Sequence, residues 1–327
     1  MIHTLTLNPA IDKVYYLPSI KKASMNRVRS YTYTMGGKGT LVAMNLAALG
    51  LSCNAFGHFG GKNGRQIVQM LERSGVKACY VPDEPCENRT NIVFVEDDGT
   101  CTTVAERGAT PSEQSMRRLQ ALMEETIRPG DSLVISGDAS NYPDPNIYER
   151  LCRIFSARGV RIYLDSSGET MRRSLQTHPY LIKPNQEELE ELAGCKLPGP
   201  DSVVEAIERL DREYRIPVIA VSMGSAGAIV KLSSGTLLQA VPPHVPFRNS
   251  AGCGDCFLAG LIYGIEQRRS DVEILRWATA YAVAKAESEL TCGFTLKRAK
   301  EIYPLISMHI LTTKGKVKNE SVLSGNT

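Results

Sequence analysis

Residues 249–261 read NSAGCGDCFLAGL, and two competing readings of them lead to different proteins. In the first, Cys253-Gly254-Asp255-Cys256 is a C-x-x-C, a spacing suited to metal or redox chemistry. In the second, Gly252 and Gly254 free the backbone and the apolar run after Asp255 is a helix. Such a helix aims its unpaired N–H groups back at the loop and makes a pocket for negative charge. Asp255 is then either an ordinary N-terminal cap or a base beside an anion pocket, suited to deprotonating a hydroxyl as it attacks a phosphoryl group.

The surroundings favour the anion pocket. A zinc site wants a second cysteine pair or histidines at ligand spacing. The other cysteines form no C-x-x-C, and the five histidines (3, 58, 178, 244 and 309) are dispersed. A thioredoxin-like motif would follow an early strand, not lie near residue 253. The nine cysteines are scattered through apolar or mixed surroundings, so they read as small buried hydrophobes rather than a disulfide framework.

The 327-residue length suits one large α/β domain with a small appendage. With 38 basic and 35 acidic side chains the net charge is only +3, too balanced for nucleic acid or an anionic membrane as main partner. MIHTLTLNPAIDK does not read as a secretory signal, and no apolar run approaches the roughly 18 residues of a membrane span. A cytoplasmic protein is expected.

Away from the loop the pattern is regular. IHTLTLN (2–8), CNAFGHFG (53–60), DSLVISG (131–137), VRIYLDSSG (160–168) and YLIKPN (180–185) read as strands, and IPVIAVSMGSAGAIV (216–230) as a strand pair broken by glycines. Helical spacing runs through 40–50, 64–75, 115–127, 145–159, 186–194, 202–214, 256–267 and 273–288. Strands alternating with helices of this length predict βαβ units and a mostly parallel sheet. Residues 13–34 and the hairpin 88–108, with Asp98-Gly99 at its turn, break the rhythm and predict a small separate β element. The polar tail 312–327 lacks periodicity and is expected to be disordered.

In an open parallel sheet, ligands sit beyond the carboxyl ends of the strands. Asn8 and Asp12, Ser136 and Gly137, Asp165, the set Lys183, Asn185 and Glu188, and the pair Ser222 and Gly224 all fall at such ends. Any one alone reads as a turn-capping residue; their convergence predicts a site. It is not a P-loop, since no G-x-x-x-x-G-K-[ST] occurs and GGKG at 36–39 is too short.

NPAID (8–12), GGKG (36–39), KPNQEE (183–188), VSMGSAG (221–227) and NSAGCGD (249–255) stand in one order. Together they resemble the ribokinase-like, phosphofructokinase B-type sugar kinases, in the branch that holds 1-phosphofructokinase and tagatose-6-phosphate kinase. The resemblance implies a three-layer α/β kinase domain over 1–311, with a mostly parallel central sheet and a β lid from 13–34 and 88–108. It implies that Asp255 is the catalytic base and that Gly252, Cys253 and Gly254 form the anion hole. Lys183, Asn185, Ser222, Gly224, Gly227 and Gly254 are implied on the ATP side. Asn185 and Glu188 belong to an N-x-x-E motif that helps place Mg2+, through water. Asp12, Gly37, Lys38 and Ser136 are implied to face the acceptor, and Arg89 to hold its existing phosphate, a task that suits the guanidinium fork. The cofactors are then ATP and Mg2+, the partner a small sugar phosphate, and the assembly a homodimer through the lid.

The acceptor side departs from that pattern. The branch commonly reads GGKG-x-N where this chain has Thr40 and Leu41, and S-G-S-L-P where it has Ser136-Gly137-Asp138-Ala139-Ser140. An acid near an incoming phosphate repels it unless it points away or meets a cation. Fructose 1-phosphate is the expected acceptor, because Asn249-Ser250 before the glycines resembles 1-phosphofructokinases. The alternatives are tagatose 6-phosphate, an unphosphorylated sugar or nucleoside, and a sugar-binding sensor without activity. Retention of Asp255 argues against the sensor.

Overall fold

A computed structural model describes residues 1–81 and 86–311. The tail 312–327, expected to be disordered, lies outside the described residues. Strands β1 (Ile2–Thr6), β4 (Cys53–Gly57), β5 (Lys77–Tyr80), β8 (Ser132–Ser136), β9 (Arg161–Asp165), β10 (Leu181–Ile182) and β11 (Val218–Ser222) run parallel in the order β11-β10-β9-β8-β1-β4-β5. Three antiparallel strands, β12 (Ala228–Lys231), β13 (Leu237–Val241) and β14 (Ser307–Leu311), extend this sheet to ten. A separate four-stranded sheet has β2 (Ala10–Leu17) and β6 (Arg89–Glu96) at its centre, with β3 (Ser30–Gly36) and β7 (Cys101–Ala105) outside. It is built from the two segments that break the βα rhythm.

The large sheet separates two apolar cores because side chains alternate along a strand. Val134, Tyr163, Leu181 and Val218 point to one core; their neighbours Leu133, Ile162, Ile182 and Ile219 point to the other. The first core is closed by α1 (Lys38–Ala48), α2 (Gly61–Arg73), α8 (Cys253–Glu266), α9 (Asp271–Ala286) and α10 (Leu296–Ile302). The second is closed by α3 (Glu113–Thr126), α4 (Ile147–Ala157), α5 (Gly168–Leu175), α6 (Gln186–Ala193) and α7 (Pro200–Tyr214). The chain therefore forms three layers, helix on sheet on helix.

Helix α8 is the most deeply placed of these helices around its first turns. Every residue from Asp255 to Ile262 is buried, so it runs through the core rather than over it. Gly260 and Gly264 let α9 approach: a Cβ on Gly260 would stand 2.6 Å from Ala278 Cα, and one on Gly264 3.1 Å from Ile274 Cα. Each glycine costs about 1 kcal/mol of helix propensity, offset by close packing. At the far end of α8, Glu266 accepts hydrogen bonds from Ser132 Oγ (2.8 Å), Arg161 (2.9 Å) and Tyr163 OH (2.6 Å), tying the helix to β8 and β9.

The structure departs from expectation in places. Run 160–168 is a strand only to Asp165, and Gly168 already begins α5, which apolar periodicity does not reveal in so short a helix. Strands β5 and β14, at the two edges of the large sheet, the five-residue β13 between β12 and β14, and the seven-residue helix α10 also escape the pattern. Helix α8 starts at Cys253 rather than Cys256, which moves Asp255 inside the first turn.

Replacing Glu266 by alanine strands the largely buried Tyr163 hydroxyl. Glu266→Ala is expected to cost about 1–3 kcal/mol of stability, read as a lower urea midpoint. KM for ATP should stay unchanged, because Glu266 lies about 16 Å along α8 from Asp255 at 1.5 Å per residue.

Candidate active site

The carboxyl ends of β8, β9 and β10 deliver Ser136, Asp165 and Lys183 to one point. Asp165 has no exposed surface. Its Oδ1 lies 3.4 Å from the ammonium groups of both Lys38 and Lys183, and its Oδ2 accepts from Ser136 Oγ at 3.3 Å. Burial opposes ionisation here, but Lys183 and Lys38 outweigh it and hold the carboxyl below its usual range. Lys38 is in turn raised, chiefly by the Asp165 charge, and its ammonium also lies 3.8 Å from Glu188 Oε1. The sequence marks Asp165 only as a strand-end acid without a role; a partner from α1 cannot be read from spacing. Ser136, expected to face the acceptor, gives its hydroxyl to Asp165 instead.

Gly252 is the N-cap of α8, with φ 85°, and a Cβ there would strike the Thr291 carbonyl. Glycine is thus required twice over at this position. The Cys253 N–H donates to the Ser250 carbonyl at 3.1 Å and the Cys256 N–H to the Gly252 carbonyl at 3.0 Å. The Cys253 amide, expected in the anion hole, is thereby engaged, and the open donors of the first turn are those of Gly254 and Asp255. A Cβ on Gly254 would sit 3.6 Å from Lys183 Nζ, so the lysine faces these amides. The Asp255 side chain makes no capping hydrogen bond, so the plain cap reading is not realised. It is 7% exposed, and burial, then the Asp165 charge, pushes its carboxyl up to about 7 against the pull of Lys38 and Lys183.

The two thiols of the C-x-x-C, Cys253 and Cys256, are held in the protonated form in this arrangement. Cys256 is fully buried, burial pushes both thiols up, and no group of three or more metal-ligating side chains occurs among the described residues. High thiol pKa values and burial make for inert cysteines.

The small sheet supplies a second cluster. Asp12 on β2 accepts from Asn91 of β6 at 2.8 Å, and burial pushes it up to about 6. Arg89, also on β6, donates to the carbonyls of Asn8 (3.2 Å) and Glu106 (3.0 Å). Asp138 accepts from Asn8 Nδ2 at 3.1 Å, and from the Ser140 hydroxyl at 2.6 Å and N–H at 3.0 Å. Burial opposes its ionisation, yet these bonds and the Arg89 charge hold its carboxyl below the usual range. Leu41, which replaces an asparagine of the expected motif, packs in the first core. Gly37, with φ 89°, turns the chain into α1 and so places Lys38.

On the far side, Asn185 and Glu188 form a capping box at the start of α6: Asn185 Oδ1 accepts from the Glu188 N–H, and Glu188 Oε2 accepts from the Asn185 N–H, both at 2.8 Å. The box commits the Asn185 side chain and one Glu188 oxygen, leaving Oε1 turned toward Lys38. A parallel bridge pairs Asn185 with Ser222, where β11 ends. Gly224 (φ 57°) and Gly227 (φ 89°) turn the chain there, and a Cβ on Gly227 would strike the Ala240 carbonyl.

Comparison with known proteins agrees with this geometry. The profile of the pfkB family carbohydrate kinases matches residues 5–297. The 1-phosphofructokinase of Escherichia coli K12 is 32% identical over 294 residues, 90% of this chain and 93% of that protein. The tagatose-6-phosphate kinase of Staphylococcus epidermidis RP62A is 30% identical over 314 residues, 94% and 99% of the two chains. A crystal structure of E. coli phosphofructokinase-2 with substrates and products superposes with a TM-score of 0.85 at 28% identity, covering 93% of this chain and 98% of that one.

A base must be ionised to act, so kcat/KM should rise with pH through about 7 and level off above. Stability should show the opposite sign. The native state holds this proton more tightly than the unfolded chain, so the group's contribution falls as pH rises from the unfolded carboxylate range to about 7. Asp255→Asn should therefore be more stable than the parent at pH 8 and lose that advantage toward pH 4. Equal stability at both ends of the range would contradict the buried carboxylate.

Proposed function

The chain belongs to the pfkB family of carbohydrate kinases, and on that footing we propose that it moves the γ-phosphoryl group of ATP to fructose 1-phosphate, giving fructose 1,6-bisphosphate. It is a sugar-phosphate kinase, like the relatives it matches. The observation that carries the reading is the first turn of α8, where Asp255 stands beside open amides and Lys183.

In this reading Asp255 accepts the proton of the acceptor hydroxyl. The oxygen attacks the γ-phosphorus, the bond to the β–γ bridging oxygen breaks, and ADP leaves. Negative charge on the transferring group is met by the amides of Gly254 and Asp255 and by Lys183, with Lys38 alongside. Asp165 holds both lysines in place. Burial keeps Asp255 poised near neutrality, where a general base works best. Ser222, Gly224 and Gly227 form the turn proposed to receive the nucleotide. Glu188, oriented by its capping box with Asn185, is proposed to hold Mg2+ through water with Oε1, the oxygen that the box leaves toward Lys38. When bound, that ion would neutralise phosphate oxygens.

Arg89 is proposed to bind the phosphate already on the sugar. Backbone carbonyls orient it, and no carboxylate of the described residues lies within 4.0 Å of it. The hydrogen bonds from Asn8 and Ser140 keep Asp138 ionised, so it is the Arg89 charge that offsets its repulsion of a phosphate. Asp12 and Asn91 are proposed to meet the sugar hydroxyls. The second reading, tagatose 6-phosphate, uses the same residues and is supported by the S. epidermidis relative.

The outer face of the small sheet supports a homodimer. Tyr31 is 58% exposed, Tyr33 46% and Val104 56%, and Tyr15 stacks on Phe94 beside them. An apolar patch of this kind is usually covered. Tyr31→Lys with Val104→Glu should convert a dimer to a monomer by sedimentation; a monomeric parent would end that proposal.

Kinetics with fructose 1-phosphate, tagatose 6-phosphate, fructose 6-phosphate and free fructose decide the acceptor. Asp255→Asn should lower kcat by roughly 10²–10⁴ while still binding ATP. Arg89→Ala removes a charge-assisted contact worth about 1.5–3 kcal/mol. It should raise KM for the sugar phosphate about 10-fold or more, with KM for ATP almost unchanged. Faster turnover of free fructose than of every phosphorylated sugar would refute the reading.

A further inference from the structure

Lys285 lies in the last turn of α9 and is 0% exposed. Its ammonium donates to the Asn249 carbonyl at 2.9 Å, and no carboxylate of the described residues lies within 4.0 Å of it. Its titratable neighbours are the thiols of Cys253, Cys256, Cys101 and Cys292, all pushed up by burial and therefore neutral. Burial lowers the Lys285 pKa from the usual lysine value; a buried ammonium without a counter-ion is costly, and an apolar side chain of similar length would pack there at lower cost.

What the charge touches explains its retention. Asn249 begins the loop that leads to Gly252-Cys253-Gly254-Asp255. Its side-chain carbonyl accepts the Ala251 N–H at 2.9 Å and its amide donates to the Glu289 carbonyl at 2.8 Å. The N–H groups of Arg248 and Asn249 donate to the Ala286 carbonyl at 2.9 and 3.3 Å, so the carboxyl end of α9 is sewn to the same loop. That helix end carries partial negative charge. The Asn249 carbonyl, held beside that helix end, accepts the Lys285 ammonium. In a trans peptide the carbonyl and the following N–H point in opposite directions, so drawing the Asn249 carbonyl inward fixes the first peptide unit of the loop.

We infer that Lys285 is a positioning residue, a built-in monovalent cation that seats the 249–252 loop so that the Gly254 and Asp255 amides meet the transferring phosphoryl group. The inference rests on reading that turn as the phosphoryl site, and not on which sugar accepts.

The test is Lys285→Ala, assayed with whichever sugar the parent enzyme phosphorylates best. kcat should fall about 10–100-fold with KM for ATP and sugar nearly constant, the signature of a transition-state contact. Ethylammonium or ammonium chloride should restore kcat saturably by at least tenfold, and tetramethylammonium, too large for the seat, should not. A folded variant restored by no cation, or one with parental kcat, overturns the inference. Lys285→Met covers the case in which alanine does not fold: it fills the space without the charge. Low kcat at an unchanged melting temperature supports the inference, whereas parental kcat or loss of the fold here too overturns it. If the parent phosphorylates no sugar, the kinase reading fails by itself. The seat is then read from melting temperature, which ethylammonium must raise in Lys285→Ala and not in the parent; no rise overturns it.

Discussion

Asp165 between Lys38 and Lys183 is the interaction on which the site depends. A carboxylate with no solvent around it is tolerable only because two ammonium groups share it at 3.4 Å each. The three residues come from β9, α1 and the end of β10, so the triad ties the start of α1 to a neighbouring strand pair of the sheet. It also sets the electrostatics next door. Burial pushes the Asp255 carboxyl up to about 7 and the Asp165 charge adds to the rise, while Lys38 and Lys183, both shared with Asp165, oppose it only in part.

The position of Asp255 is decided by packing rather than by its own contacts. Its side chain has no capping bond; what locates it is α8, which is clamped along its length. Gly252 fits beneath the Thr291 carbonyl, Gly260 and Gly264 admit α9, and Glu266 grips β8 and β9. An all-round apolar helix locked at both ends holds its first turn, and with it Asp255, rigidly, as the proposed role of a base demands.

The acceptor side is built differently. Asp12, Asn91 and Arg89 stand on paired strands of the small sheet, and Asn8 and Asp138 come from the ends of β1 and β8. Hydrogen bonds of Asn8 link the two sheets here, to Asp138 after β8 and to Arg89 on β6. The Asp138 carboxylate is fixed in place by Ser140 and Asn8 and stays ionised, with the Arg89 charge nearby to oppose it. Leu41, the other departure, turns into the core and leaves the site altogether.

Much was legible in the sequence because it is local. Strand and helix alternation follows from apolar period, and NSAGCGD announces a glycine turn before a helix with an acid in its first turn. The polar residues at strand ends marked the edge of the sheet where Ser136, Asp165 and Lys183 meet, and the ordered motifs marked the family. What stayed out of reach is pairwise and long-range. Periodicity cannot say that Asp165 meets Lys38 across 127 residues, that Ser136 turns to Asp165, or that the Cys253 amide is taken by Ser250. Nor can it say that Lys285 lies buried against Asn249. Residue type and spacing determine which elements form and which faces are apolar. Only tertiary packing, by excluding water from particular pairs, decides which charges are shared, which are stranded, and which carboxylate is left able to take a proton.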